Sequence, residues 1–192
     1  MLTSIRQRTH ENLDRAKNLV GIYERASGNP NLHDTDILRA AVVFLHASLE
    51  DCLRSIAYEK LPFSTQSELN KTEQKVSLSR IAEYRDKTVN ELIKDVIDEY
   101  LGRKTYNNSG EIKTALKALA IEIPDNVISD TEPTMQRRHK IVHRADRSEK
   151  ESGEIGSITK IQPSQVSRWI SEVERFVDAV LTAFEQQRGN LP

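Results

Sequence analysis

The chain has a single cysteine, Cys52, among 192 residues. No internal disulfide can form, which excludes a disulfide-stapled secreted scaffold and fits a reducing compartment. Cys52 also lies within an apolar helical stripe, where a thiol is buried and poorly placed to act as a nucleophile. Glycine (7 residues) and aromatics (5%) are scarce, which argues against a strand-rich fold. No apolar run approaches the roughly 20 residues that cross a bilayer. The opening M-L-T-S-I-R-Q-R lacks the uninterrupted apolar segment of a secretory signal. A cytoplasmic protein that makes no membrane contact is the expectation. Net charge is only −1, so a uniformly basic coat for nucleic acid is excluded as well.

What is present is helical periodicity. Apolar residues recur at i, i+3, i+4 and i+7 over long stretches, and the length suits one all-α domain spanning residues 1–192. The first helix is expected from Thr3 to Ala26 and is ended by Gly28-Asn29-Pro30. The second, from Thr35 to Lys60, is the most apolar and should occupy the bundle centre. Ser64 to Lys75 reads as a loop, and Ser77 to Tyr84 and Thr88 to Leu101 read as shorter helices. Ser109 is expected to cap a helix over 111–120, and Thr131 with Glu132-Pro133 to start another. Residues 148–162 suggest a short hairpin or loop before a last helix that opens at Pro163-Ser164. That helix carries Val166, Trp169, Ile170, Val173, Phe176, Val177, Val180, Leu181 and Phe184 on one face, the mark of a bundle helix or an oligomer seam.

Met135 to Arg147, M-Q-R-R-H-K-I-V-H-R-A-D-R, is the segment richest in chemistry. From Arg137 to Arg147 five cations (Arg137, Arg138, Lys140, Arg144, Arg147) face one acid, Asp146, a local charge of +4 in a chain whose remainder carries −5. Ile141 and Val142 give the segment a docking side, which separates it from a disordered basic tail. Imidazole titrates near neutrality, and arginine holds phosphate in a planar two-donor fork, so the combination suits acid/base work on a phosphodiester.

Arg138 and His143 are five residues apart, or about 140° on a helix, so they converge only at a groove or near a helix end. A solvated basic helix end, favoured by the macrodipole, is the competing reading. His139 and His143 share a face at i, i+4, with Asp146 at i+7 if the helix persists. Two histidines and a carboxylate can ligate a metal, but Arg138, Lys140 and Arg144 would crowd a cation, and no metal or other cofactor is expected. Glu50 and Asp51 interrupt the apolar second helix. Either one of them faces inward to pair with an arginine of the motif, with His46 joining in, or the pair is solvated with Glu50 reaching Arg54.

Arg138-His139-Lys140-Ile141-Val142-His143 resembles the R-x4-6-H signature of the HEPN superfamily. The wider R-R-H-K-I-V-H-R-A-D run and the acidic-Leu-Arg pattern of Glu50-Asp51-Cys52-Leu53-Arg54 are similar to its RiboL-PSP branch. The resemblance implies an up-and-down helical bundle, here with extra short helices. It implies a homodimer whose two motifs face each other across a composite cleft, and in active members metal-independent cutting of RNA. Carried over, Arg138 and His143 are the catalytic pair, His139 and Glu50 support them, and Arg137, Lys140, Arg144 and Arg147 hold RNA phosphates. The resemblance also implies phage defence or toxin–antitoxin biology, with any antitoxin or regulator a separate polypeptide. Some HEPN toxins carry a modifiable tyrosine two residues past the histidine; here that position is Ala145. A non-catalytic HEPN-like module that binds RNA or nucleotide, or assembles a complex, is the alternative, and a helical adaptor is a third reading. The motif offers no aromatic on which to stack a base, so weak RNA sequence preference is expected.

Overall fold

The computed structural model describes residues 2–26, 34–72, 74–148 and 156–189. Among these the helices are α1 (Leu2–Ala26), α2 (Asp34–Lys60), α3 (Gln66–Asn70), α4 (Leu78–Ala82), α5 (Val89–Arg103), α6 (Ser109–Ala118), α7 (Asp125–Ser129), α8 (Glu132–Arg144) and α9 (Pro163–Gly189), with a 3₁₀ turn at Leu61–Phe63. The fold is all-α, and no strand is formed among the described residues.

Side-chain pairings give the helix directions. Arg8 of α1 donates to Asp51 of α2 and Arg15 lies over the Phe44 ring, so the two helices run antiparallel. Arg6 reaches Glu185 and Lys17 reaches Glu174, which sets α9 antiparallel to α1. Arg39 meets Asp146 just past α8, and His46 feels Arg138 inside it, so α8 runs against α2. The four helices α1, α2, α8 and α9 therefore alternate up and down, and α3 to α7 fill the chain between α2 and α8.

The core follows the apolar stripes. Leu38, Ala41, Val42, Leu45, Leu49, Cys52 and Ile56 of α2 have no solvent exposure, which makes α2 the central helix. The nine residues of the α9 stripe named above, Val166 to Phe184, are each 4% exposed or less, so that face is consumed inside the chain and is not an oligomer seam. No helix among the described residues is long and apolar enough to cross a membrane.

Several boundaries differ from the sequence reading. Ser64 to Lys75 is not all loop: Thr65 and Glu68 form a capping box, with the Thr65 amide donating to the Glu68 carboxylate at 2.7 Å, and this starts α3. The cap of α6 is Asn108 and not Ser109; its Oδ1 accepts from the Glu111 amide at 2.9 Å. The short α7 had no periodic stripe to announce it. Thr131 occupies the N-cap position of α8, but its hydroxyl donates backwards to the Ile128 carbonyl and caps nothing. Where a hairpin or loop is expected over 148–162, Arg147 just before it and Ile158 within it form an antiparallel bridge. The turn of that hairpin, the Gly28-Asn29-Pro30 stop and His33 lie outside the described residues.

Candidate functional site

Helix α8 enters the bundle at Glu132-Pro133, where the Glu132 carboxylate accepts from the Ser109 amide at 2.6 Å. Burial would raise the pKa of Glu132, but the hydrogen bonds from Ser109 and Gln136 outweigh it and hold the carboxyl below its usual range. Thr134 and Met135 are buried, Arg138 is half-buried, and His139, Lys140, Val142, His143 and Arg144 are exposed. The helix stops one residue after His143, with Ala145 and Asp146 in left-handed conformations (φ 46° and 58°). The amides of both residues turn back to the carbonyl of Lys140.

His139 and His143 meet as their spacing predicts, with ring centroids 4.6 Å apart and planes tilted by 45°. Arg138 points to the other side of the helix, where its Nη1 donates to Asn107 Oδ1 at 3.5 Å. Behind that pair lies His46, 1% exposed, its Nε2 at 3.1 Å from the Tyr106 carbonyl. Burial pushes the imidazole pKa of His46 down; Glu50 and the Tyr106 carbonyl pull it up, and Arg138 adds to the lowering. The loop over 104–108 that carries Asn107 is held at its backbone. Arg54 Nη2 donates to Lys104 O at 2.7 Å, and the Asn107 amide donates to Glu111 at 2.9 Å. Tyr106 is 1% exposed, and burial pushes its phenol up to about 12.

Glu50 does not pair with an arginine of α8. It lies 4.0 Å from His46 Nδ1 and 3.8 Å from Arg54, the i, i+4 contact of the second sequence alternative. Asp51 turns the other way, to Arg8 on α1. Arg137 departs furthest from expectation. It is 9% exposed and donates to Asp146 at 2.7 Å and to the carbonyls of Thr159 and Lys160. A side chain so enclosed is unavailable to an RNA phosphate, which corrects its assignment as a phosphate contact. Asp146 does not continue the His139–His143 face either; the left-handed turn carries it inward to 0% exposure. Among the described residues no group of three or more His, Cys, Asp or Glu is placed to hold a metal ion. Arg147 is exposed and donates to the Gly156 carbonyl at 3.2 Å.

The site therefore comprises an exposed imidazole pair and Lys140 on one side of α8, with Arg138 and Asn107 on the other. Asn107 escaped the sequence reading because it sits in a turn cluster, Asn107-Asn108-Ser109-Gly110, whose residues are explained by turn formation alone. Searches of curated proteins and of solved structures return no match. Residues 10–186 match the model of the RiboL-PSP-HEPN family, and with nearly the whole chain so covered, the protein belongs to that family.

Proposed function

We propose that the protein is a metal-independent endoribonuclease acting as a homodimer. The observation that carries this reading is the exposed His139–His143 pair with Lys140 on one side of the end of α8 and Arg138 on the other, in a chain of the HEPN type. His143 takes the proton from a ribose 2′-hydroxyl, and the freed oxygen attacks the adjacent phosphorus. The His143 of a second copy protonates the departing 5′-oxygen. Arg138 holds the scissile phosphate and stabilises the charge that grows as the phosphorane forms. Lys140, Arg144 and Arg147 draw the backbone in, His139 orients its neighbour, and Glu50 acts from behind through His46. The products are a 2′,3′-cyclic phosphate and a 5′-hydroxyl, and DNA is not cut because it lacks the attacking group.

The wide separation of Arg138 and His143 around α8 supports a composite cleft, because a second copy brings the complementary group to each phosphate. The setting we propose is cytoplasmic, in phage defence or a toxin–antitoxin pair, with restraint by a separate polypeptide. Labelled single-stranded RNA incubated in EDTA with wild type and His143→Ala tests the chemistry. Wild-type cleavage to cyclic-phosphate ends, lost in the variant while RNA binding persists, is the expected result. Intact RNA with both proteins, and equal binding, would favour the non-catalytic module.

A further inference from the structure

Directly after Arg144 the chain makes a left-handed turn that alanine at 145 does not favour. Ala145 and Asp146 both have positive φ, and neither is glycine. Asp146 holds the turn: wholly buried, its Oδ2 accepts from Arg39 Nε of α2 at 2.8 Å and from Arg137 Nη2 of α8 at 2.7 Å. The two guanidiniums reach on to the segment that enters α9, with Arg39 Nη2 donating to Thr159 O at 3.1 Å and Arg137 Nη2 to Thr159 O at 2.9 Å. The Thr159 amide in turn donates to the Asp146 carbonyl at 2.8 Å. Arg39 is itself oriented by Thr35 Oγ1 at 2.6 Å and Asp36 at 3.1 Å. One carboxylate thus joins α2, α8, the turn and the lead into α9.

As a source of stability the cluster is poorly arranged. Two cations share one oxygen, and Asp146 Oδ1 and Arg137 Nε have no hydrogen-bond partner among the described residues. Buried ion clusters of this kind are often no more stable than apolar replacements. What the cluster does supply is direction. It grips the chain at Arg137, next to Arg138, and again at Asp146, three residues past His143, so the two ends of the intervening segment are tied to each other and, through Asp146, to Arg39 on α2.

We propose that Arg39 and Asp146, with Arg137, are positioning residues that set His143 and Arg138 in register for cleavage; the cleavage part rests on the function proposed above. Asp146→Asn keeps the shape and an acceptor oxygen but removes the charge. Arg39→Met removes one grip from outside the motif altogether. Both variants of the full chain are compared with wild type for melting, for RNA affinity, for the His139–His143 ring contact by nuclear Overhauser effects, and for single-turnover cleavage. The expected result is folded protein with RNA affinity within about threefold of wild type, an altered ring contact, and a cleavage rate lower by on the order of 100-fold.

A wild-type ring contact and cleavage rate in the folded variants would overturn the proposal. So would a rate loss no larger than the unfolded fraction. Should Asp146→Asn fail to fold, Arg39→Met decides, and failure of both to fold would make the cluster merely structural. If wild type cuts no RNA, the proposed function fails but the ring contact still reads the positioning: its loss in the variants upholds it, and its persistence removes it.

Discussion

At the scale of single residues, His46 has the clearest physical consequence. It is buried in α2 against the Tyr106 carbonyl, with Glu50 and Arg138 the charged groups that face it. Its folded pKa lies below the ordinary 6.5, chiefly because burial penalises the imidazolium. The unfolded chain therefore binds a proton at a higher pH than the folded chain does. Stability is unaffected by this group above about pH 6.5, falls as pH drops through that value, and levels off below the folded pKa. Melting curves between pH 7.5 and 5 should show this decline, with about 2–4 °C lost for each kcal/mol. His46→Gln, which keeps a donor near the Tyr106 carbonyl but does not titrate in this range, should flatten that part of the profile. An equal decline in the variant would place the acid sensitivity elsewhere. The i, i+4 meeting of His139 and His143 was legible in the sequence because both residues lie within one helix. The inward turn of Arg137 was not, because its partner Asp146 reaches it only through two left-handed residues that no helical spacing contains.

At the scale of elements, the long helices were readable to within a residue or two at most described ends, since their stripes run for many turns and burial enforces the period. The short ones were not. Helix α3 has no buried residue and owes its start to the Thr65–Glu68 capping box, a signal present in Thr65-Gln66-Ser67-Glu68 but unaccompanied by an apolar run. The end of α8 carries a cost its sequence conceals: Ala145, in the left-handed region, bears a Cβ where glycine would have none, a penalty of roughly 1–2 kcal/mol. Ala145→Gly should relieve part of it, even against the extra chain entropy that glycine gives the unfolded state, and raise the melting temperature by about 2–4 °C. Calorimetry on the variant checks this. A melting temperature equal to or below that of wild type would mean that contacts of the Ala145 methyl offset the backbone strain.

At the scale of the whole molecule, alternation of α1, α2, α8 and α9 places the basic motif against the most deeply buried helix, so Arg138 and the imidazole pair stand on an element packed on the core. The sequence marked α2 as central and gave the motif a docking side, which was enough to foresee that neighbourhood. The loop over 104–108 could not be foreseen beside Arg138, because it arrives from 30 residues upstream through contacts with Arg54, His46 and Glu111.

The one cysteine of the chain lies on that same central helix. Cys52 has no solvent exposure, and burial raises its thiol to about 12, so folded protein offers an alkylating reagent neither access nor thiolate. Labelling can then proceed only when the bundle opens, and the chain carries a single-site clock for its own unfolding. With excess reagent, the modification rate of Cys52 in native buffer should track the opening equilibrium, slow markedly if RNA or a restraining partner binds the folded form, and quicken in destabilised variants. Mass spectrometry after timed quenching reads it without any assay of activity; rapid labelling of native protein would show that α2 opens well before the bundle as a whole.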